Sequence, residues 1–183
     1  MWARFAAGIE PLREAGRLGG VLFRFPPWFR PGARAERFLA ETAARTAGWP
    51  VHVEFRHPDW GEPRRDLTRA LLSTYGFAAV AVDMSQDLPT SLPPVTPVTA
   101  PRLSVVRFHG RSASWGRGSK EGRFRYAYRR AELTEWLPRL HALAEQVDEL
   151  HVLFNNCCGA AAVQAAETKA GLLSPRSAPS SSH

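Results

Sequence analysis

The chain has 183 residues, 44% of them hydrophobic and 22% charged, which is the composition of a single globular domain. It contains no run of about 18 apolar residues, so the sequence predicts no transmembrane helix and no membrane partner. The N-terminal residues lack the apolar stretch of a signal peptide, and the two cysteines, Cys157 and Cys158, are adjacent, which excludes a disulfide framework and favours a cytoplasmic protein.

Hydrophobic periodicity divides the chain into alternating helices and strands. In chain order the prediction is a helix over 3–17, a strand over 18–25, a helix over 33–47, a strand over 51–56, a helix over 64–74, strands over 77–84 and 102–109, a helix over 131–147, a strand over 150–155 and a helix over 159–173. The first three helices are expected to turn Phe5, Ile9, Leu12, Phe38, Leu39, Leu67, Leu71 and Leu72 toward the core. Pro138 predicts a mild kink, and residues 174–183, rich in Ser and Pro, predict a disordered tail after a domain of residues 1–173.

Polar residues stand where four of the five predicted strands end. They are Glu54, Arg56 and His57 after the second strand, Asp83 after the third, Arg107 and His109 after the fourth, and Asn155 and Asn156 after the fifth. In parallel α/β folds the carboxyl ends of the strands converge on the ligand site. The repetition therefore predicts a pocket at one edge of a parallel sheet.

The residue types at these ends suggest proton transfer and anion binding. Glu54 is a candidate general base, His57 its acid/base partner and Arg56 an anion clamp, with Asp83 and His109 expected nearby. The candidate catalytic residues are Glu54, His57, Asp83 and His109, and the candidate substrate-binding residues are Arg56, Arg107, Arg111, Tyr128, Asn155 and Asn156. The alternative is an internal ion pair of Glu54 with Arg56 or Arg107 that only orders this end of the fold.

A divalent metal is a second possibility for the same residues. Glu54, His57, Asp83 and His109 could together ligate zinc or manganese, although the sequence has no local ligand spacing of the His-Glu-x-x-His type. The alternative is a set of hydrogen-bonded polar side chains.

The basic character of the chain resides in one segment. Residues 107–130 contain eight basic residues and one acid, which leaves 16 of the 24 basic and 16 of the 17 acidic residues elsewhere. Trp115, Phe124, Tyr126 and Tyr128 are interleaved with these charges. This composition is typical of surfaces that bind phosphate groups or single-stranded nucleic acid. The alternative is a solvated loop whose aromatic side chains pack on the rim of the fold.

Four motifs resemble one known family. Residues 54–60, EFRHPDW, resemble the EFRHxSW signature of the YecE-like family, domain of unknown function 72. Residues 18–29, LGGVLFRFPPWF, resemble another of its segments, with Arg24 where the family usually has Gln, and VRFHGR at 106–111 and FNN at 154–156 resemble two more. The resemblance implies a TIM-type β/α barrel whose activity is unassigned.

Such a barrel has eight strands, and this chain predicts five. The resemblance equates them with the fourth to eighth strands and implies that the N-terminal third of the family domain is missing. The strands at 18–25 and 150–155 would then be open edges exposing Val21, Phe23, Val152 and Phe154, and the protein would oligomerise or aggregate. The functional hypothesis is an enzyme acting on a small anionic or phosphorylated substrate; the alternative is a non-catalytic phosphate or nucleic-acid binder that uses residues 107–130.

Overall fold

Five parallel strands form the centre of the computed structural model, which describes residues 1–62, 64–86, 88, 91–112, 125–156 and 159–174. The strands are β1 (Val21–Arg24), β2 (Val51–Glu54), β3 (Ala78–Asp83), β4 (Leu103–Phe108) and β5 (Glu149–Phe154). They lie in the sheet in the order β1-β2-β3-β4-β5, and every neighbouring pair is parallel. The predicted α/β class and the five strands are confirmed.

The helices between the strands follow the predicted alternation. They are α1 (Trp2–Glu14), α2 (Ala33–Arg45), α3 (Arg65–Thr74), α4 (Arg130–Glu135), α5 (Leu137–Ala144) and α6 (Ala161–Leu173), with a short 3-10 helix at Pro58–Trp60. Among the described residues, none of the helices has the length and apolar character needed to cross a membrane.

The first strand is shorter than predicted because two glycines precede it. Gly20 lies against the buried ring of His52, so that a Cβ at Gly20 would be 2.5 Å from His52 Cε1. The chain can therefore approach β2 this closely only without a side chain at that position. Pairing with β2 begins at the next residue, where Val21 is in register with Val51.

The prediction of one kinked helix over 131–147 is wrong. The chain forms two helices that meet at Trp136, and Pro138 lies in the first turn of α5. Proline has no backbone N–H and its ring collides with the carbonyl four residues earlier, so it breaks a helix interior but is tolerated in a first turn. The break leaves Trp136 fully buried between α4 and α5.

The predicted core stripes are only partly correct. Leu39 of α2 and Leu72 of α3 are buried, but Phe38 is 42% exposed and Leu67 is 68% exposed. Helix α1 contains no buried residue, and its Phe5 covers Phe23 and Trp49 from outside. Periodicity finds the helix but does not decide how much of each helix face meets another element.

The two edge strands do not expose the side chains that were predicted to face water. Val21 is buried, and Phe23, Val152 and Phe154 are half-buried. The exposed apolar residues of the edges are instead Leu22 and Leu153, which alternate with them and point to the opposite face of the sheet. Three predictions fall outside the described residues: most of the basic segment (113–124), the two cysteines and the tail beyond residue 174.

Candidate functional site

Pairing between the strands continues past their ends and brings their polar terminal residues to one edge. Phe25 N–H donates to Glu54 O, His109 N–H to Asp83 O, and Asn155 N–H to Phe108 O, all at 2.8–2.9 Å. The carboxyl ends of the strands are therefore level with one another, as the sequence predicted.

Glu54, the last residue of β2, is the centre of the first cluster. Its carboxylate is fully buried and lies 3.1 Å from Arg24 Nε and 3.6 Å from Arg56 Nη1. Arg107 Nη1 of β4 donates to Oε2, and His109 Nε2 lies 3.1 Å from Oε1. We call these five residues the Glu54 cluster.

Arg107 links the Glu54 cluster to the end of β5. Its Nη2 donates to Asn155 Oδ1 at 3.0 Å. Its Nε is buried and has no hydrogen-bond partner among the described residues. The structure thus brings Asn155 to the cluster as predicted, and it leaves one guanidinium N–H of Arg107 available to an acceptor.

His109 and Arg107 control the protonation of the buried carboxylate. Burial alone would raise the pKa of Glu54, but the hydrogen bond with His109 and the charge of Arg107 outweigh it and lower that pKa to about 2. Burial lowers the pKa of His109, which favours the neutral imidazole at pH 7. Because an ionised carboxylate has no proton to give, Nε2 of the neutral ring donates to Glu54.

Asp83 is the centre of a second cluster and does not join the first. Arg111 donates to both carboxylate oxygens, at 3.0 Å from Nε to Oδ1 and 2.7 Å from Nη2 to Oδ2. Tyr128 OH donates to Oδ1 at 2.6 Å, and Trp136 Nε1 donates to Oδ2. We call Asp83, Arg111, Tyr128 and Trp136 the Asp83 cluster.

The two clusters lie on opposite faces of the sheet. Asp83 is in register with Phe108, whereas Arg107 and His109, on either side of Phe108, point to the other face. Gly110 then turns the chain at a φ of 91°, so that Arg111 reaches Asp83 although His109, two residues earlier, reaches Glu54. A Cβ at Gly110 would be 2.8 Å from Tyr126 Cβ, so the turn depends on glycine.

Lys169 of α6 is buried beside the Asp83 cluster, and no pattern in the sequence predicted this position. Its Nζ donates to Leu133 O at the end of α4 and lies 5.4 Å from the Phe108 ring centroid. Burial lowers its pKa to about 8, although the charge of Asp83 acts in the opposite direction. Trp136, by contrast, could have been found, because a buried tryptophan N–H needs an acceptor.

His57 and Asn156, two further candidates, are engaged in loop contacts. The Nδ1 atom of His57 accepts a hydrogen bond from Asp59 N–H at 3.1 Å and so caps the short helix at Pro58–Trp60. Asn156 Nδ2 donates to Tyr126 O at 2.7 Å. Neither side chain has a described contact with Glu54.

The described residues contain no group of three or more His, Cys, Asp or Glu side chains that could hold a metal ion. Glu54 and Asp83 are separated by the sheet, and the arginines around Glu54 would repel a cation. The metal hypothesis has no support in this part of the chain.

The basic segment carries less available charge than its composition indicated. Three of its five described arginines form ion pairs: Arg107 with Glu54, Arg111 with Asp83 and Glu135, and Arg129 with Glu132. The other two, Arg125 and Arg130, are exposed. Tyr128 is half-buried against Phe108, and its pKa is raised by burial and by Asp83. The rim-packing alternative describes Tyr128 well.

Comparison with known proteins identifies relatives of this chain, but their names state no reaction. The model of the family described as "Protein of unknown function DUF72" matches residues 1–182. UPF0759 protein YunF of Bacillus subtilis (strain 168) is 31% identical over 166 residues, which are 87% of this chain and 59% of that protein.

Two crystal structures of DUF72 family proteins share the fold. The protein from Thermotoga maritima MSB8 superposes with a TM-score of 0.84 at 32% identity, covering 93% of this chain and 64% of that one. The protein from Enterococcus faecalis V583 gives 0.88 at 25% identity, with coverages of 94% and 64%. This chain thus spans less than two thirds of their length, but the family match from residue 1 does not bear out the expected absence of the N-terminal third of the domain.

Proposed function

Since the chain belongs to the DUF72 family, as its motifs predicted, and that family has no assigned activity, we propose a function from the geometry of its own residues. The Glu54 cluster binds a small anionic ligand, such as a phosphate ester, at the carboxyl end of the sheet. The enzyme hypothesis adds proton transfer to this ligand.

The observation that carries the proposal is the excess of guanidinium groups over carboxylates in a buried place. Arg24 and Arg107 contact Glu54 from two sides, and Arg56 lies within salt-bridge distance as well. Even without Arg56, two positive charges share one negative charge. A buried excess of charge is costly, and an anion that accepts from Arg24 and from the Nε of Arg107 would relieve it.

The exposure of the side chains indicates the side from which a ligand would enter this anion site. Glu54 and His109 are fully buried, whereas 41% of the Arg24 side chain is exposed. A ligand would meet Arg24 first and reach Arg107 behind it. Arg24 stands where the family motif usually has Gln, so the anion preference proposed here is strengthened in this chain relative to its family.

The low pKa of Glu54 changes its proposed role. A carboxylate that stays ionised down to about pH 2 is a weak proton acceptor at neutral pH, so it serves to position Arg107 and His109. The neutral imidazole of His109 is the better candidate for taking up a proton. His57, occupied as a helix cap, is assigned to the loop rather than to the reaction.

Phosphate-dependent stability tests the proposed site. Inorganic phosphate is expected to raise the free energy of unfolding of the wild type by about 2.7 kcal/mol at 100 times the dissociation constant, and to raise the thermal midpoint with it. Arg24→Ala should need about ten times more phosphate than the wild type for the same stabilisation. Arg13→Ala, which removes an equal charge from an exposed pair on α1, is the control and should behave as the wild type. Equal responses of Arg24→Ala and Arg13→Ala would rule the site out.

Proton transfer needs a separate test. A screen of phosphorylated metabolites for conversion by the wild type would use His109→Gln as its reference, because glutamine keeps a hydrogen-bond donor for Glu54 but does not titrate. The enzyme hypothesis expects turnover in the wild type and loss of turnover, with phosphate binding retained, in His109→Gln. Binding of such compounds without conversion by the wild type would reduce the function to that of a binding protein.

We further propose that the sheet is an arc of a β/α barrel within a domain of residues 1–173. Strands that follow chain order with parallel pairing support it, as do relatives in which this chain covers 64% of the length. In the isolated chain, amide hydrogens of β1 and β5 should then exchange with solvent faster than those of β3. Equal protection would mean that the edges are covered.

Nucleic-acid binding through residues 107–130 is the second candidate, favoured by their net charge. Its affinity for a single-stranded oligonucleotide would fall steeply with salt, whereas a phosphate pocket responds mildly. Lys120→Ala, outside the described residues, should lower the salt slope by about one unit under this hypothesis and leave it unchanged under the first.

A further inference from the structure

An open groove lies on the other side of β1 from the Glu54 cluster. It is formed by the segment 25–30 and by one face of α2, and its volume is about 800 Å³. Its lining residues are Phe25, Pro26, Trp28, Phe29, Arg30, Arg34, Ala35, Arg37, Phe38 and Glu41. None of the candidate site residues discussed above belongs to this groove.

Two aromatic side chains of the groove are exposed although a buried aromatic core lies next to them. Trp28 is 77% exposed and Phe38 42% exposed. Phe38 meets the rings of Phe25 and Phe29 edge-on at 6.0 Å, and those two rings stack on each other at 4.2 Å. Phe38 therefore stands on a base of stacked rings, and exposed aromatic side chains with a polar rim are typical of binding sites.

The rim of the groove is positively charged. Arg30, Arg34 and Arg37 are exposed and form no salt bridge within the described part of the chain. The one acid of the groove, Glu41, is held by Arg45 at 2.8 Å. The groove thus offers three guanidinium groups without an internal counter-charge beside two exposed rings.

We propose that this groove binds a nucleotide, with its base stacked on Trp28 and Phe38 and its phosphate held by the arginines. Arginine pairs with phosphate through two parallel hydrogen bonds, and aromatic rings stack with any base. The volume lies within the range of about 300–1,000 Å³ that is usual for small-molecule sites. The same chemistry fits a free nucleotide or one unit of a single strand.

Fluorescence titration tests the proposal, because binding would quench Trp28. The probes are adenosine 5′-monophosphate, inorganic phosphate and an oligodeoxyadenylate of six residues. Both nucleotide probes are expected to quench the wild type and phosphate is not. Trp28→Leu should lose the quenching and, by calorimetry, about tenfold or more in affinity for the nucleotide probes. Arg34→Ala with Arg37→Ala should lose a similar factor while Trp28 remains.

Two control variants separate binding in this groove from a general surface effect. Leu67→Ala removes an exposed apolar side chain of α3, and Arg13→Ala removes a charge from the exposed pair on α1; in both variants adenosine monophosphate should quench the fluorescence as it does in the wild type. If the oligonucleotide binds more tightly than adenosine monophosphate, with a steep salt dependence, the ligand is a nucleic-acid strand. If the two affinities are equal, the ligand is a free nucleotide. Absence of binding, or binding unaffected by Trp28→Leu, would overturn the proposal.

Discussion

Two carboxylates end neighbouring strands of the sheet, and both are buried, yet their surroundings differ in one respect. Asp83 accepts from one arginine and from two neutral donors, Tyr128 and Trp136. Glu54 accepts from arginines on two sides and lies near a third. The ratio of positive to negative charge therefore separates the two clusters more clearly than burial does.

The difference in charge ratio indicates different roles for the two clusters. In the Asp83 cluster Arg111 is also held by Glu135 at 2.8 Å, so its charge is fully compensated and the cluster fastens α4 to the ends of β3 and β4. In the Glu54 cluster positive charge exceeds negative charge among the described residues, which leaves room for an anion. A buried carboxylate by itself is thus no sign of catalysis.

The largest effect is expected for Asp83→Ala. Removing the carboxylate leaves the buried donors of Tyr128 and Trp136 without their acceptor and leaves Arg111 paired with Glu135 alone, so the free energy of unfolding should fall by about 3–5 kcal/mol. Urea unfolding followed by circular dichroism measures this loss, with the exposed Glu14→Ala as the control. A loss below about 1 kcal/mol would show that the Asp83 cluster does not fasten α4.

The fall in the free energy of unfolding at acid pH, which we call the acid limb of the stability curve, reports on Glu54. Its folded pKa of about 2 lies below the ordinary value of 4.5, so between these pH values the unfolded chain takes up a proton that the folded protein does not. Its contribution, about 3 kcal/mol, is complete above pH 4.5 and disappears as the pH falls toward 2. Glu54→Gln should flatten this limb relative to the wild type, while Asp59→Asn should leave it in place.

The response to phosphate should also distinguish Glu54→Gln from the wild type. Without the carboxylate the arginines lose their internal counter-charge, so phosphate is expected to stabilise the variant by about 1–2 kcal/mol more than the wild type at equal concentration. Thermal unfolding with and without phosphate gives the difference. A variant that responds less than the wild type would mean that Glu54 itself completes the anion site.

The smallest effect concerns Lys169. Its folded pKa of about 8 lies below the ordinary 10.5, so the unfolded chain binds more protons across that window and the free energy of unfolding should rise with pH. Lys169→Met removes the titration and should gain about 1 kcal/mol at pH 7 while losing the rise between pH 8 and 10. A rise that persists in Lys169→Met would have to come from another group.

Much of the Glu54 cluster could be predicted from the sequence because it depends on strand ends alone. Arg107, His109 and Asn155 each follow an apolar run, and parallel strands place such ends at one edge. Asp83 also follows an apolar run, but its side chain lies on the other face of the sheet. The face to which a strand residue points depends on the register between strands, which no local sequence pattern predicts. The contribution of Arg24 is of the same kind, because its role follows from its register with Glu54.

The sequence by itself determined the alternation of helices and strands, the level carboxyl ends and the family, because these follow from periodicity and short motifs. Tertiary structure decided which face each polar end serves, that α4 and α5 separate at Trp136, and that Phe38 lines a groove instead of the core. The reason is physical: hydrophobic spacing specifies a stripe, but the burial of each side chain on it depends on which element packs there. The charge balance around Glu54 and Asp83 exists only once residues from separate strands have met.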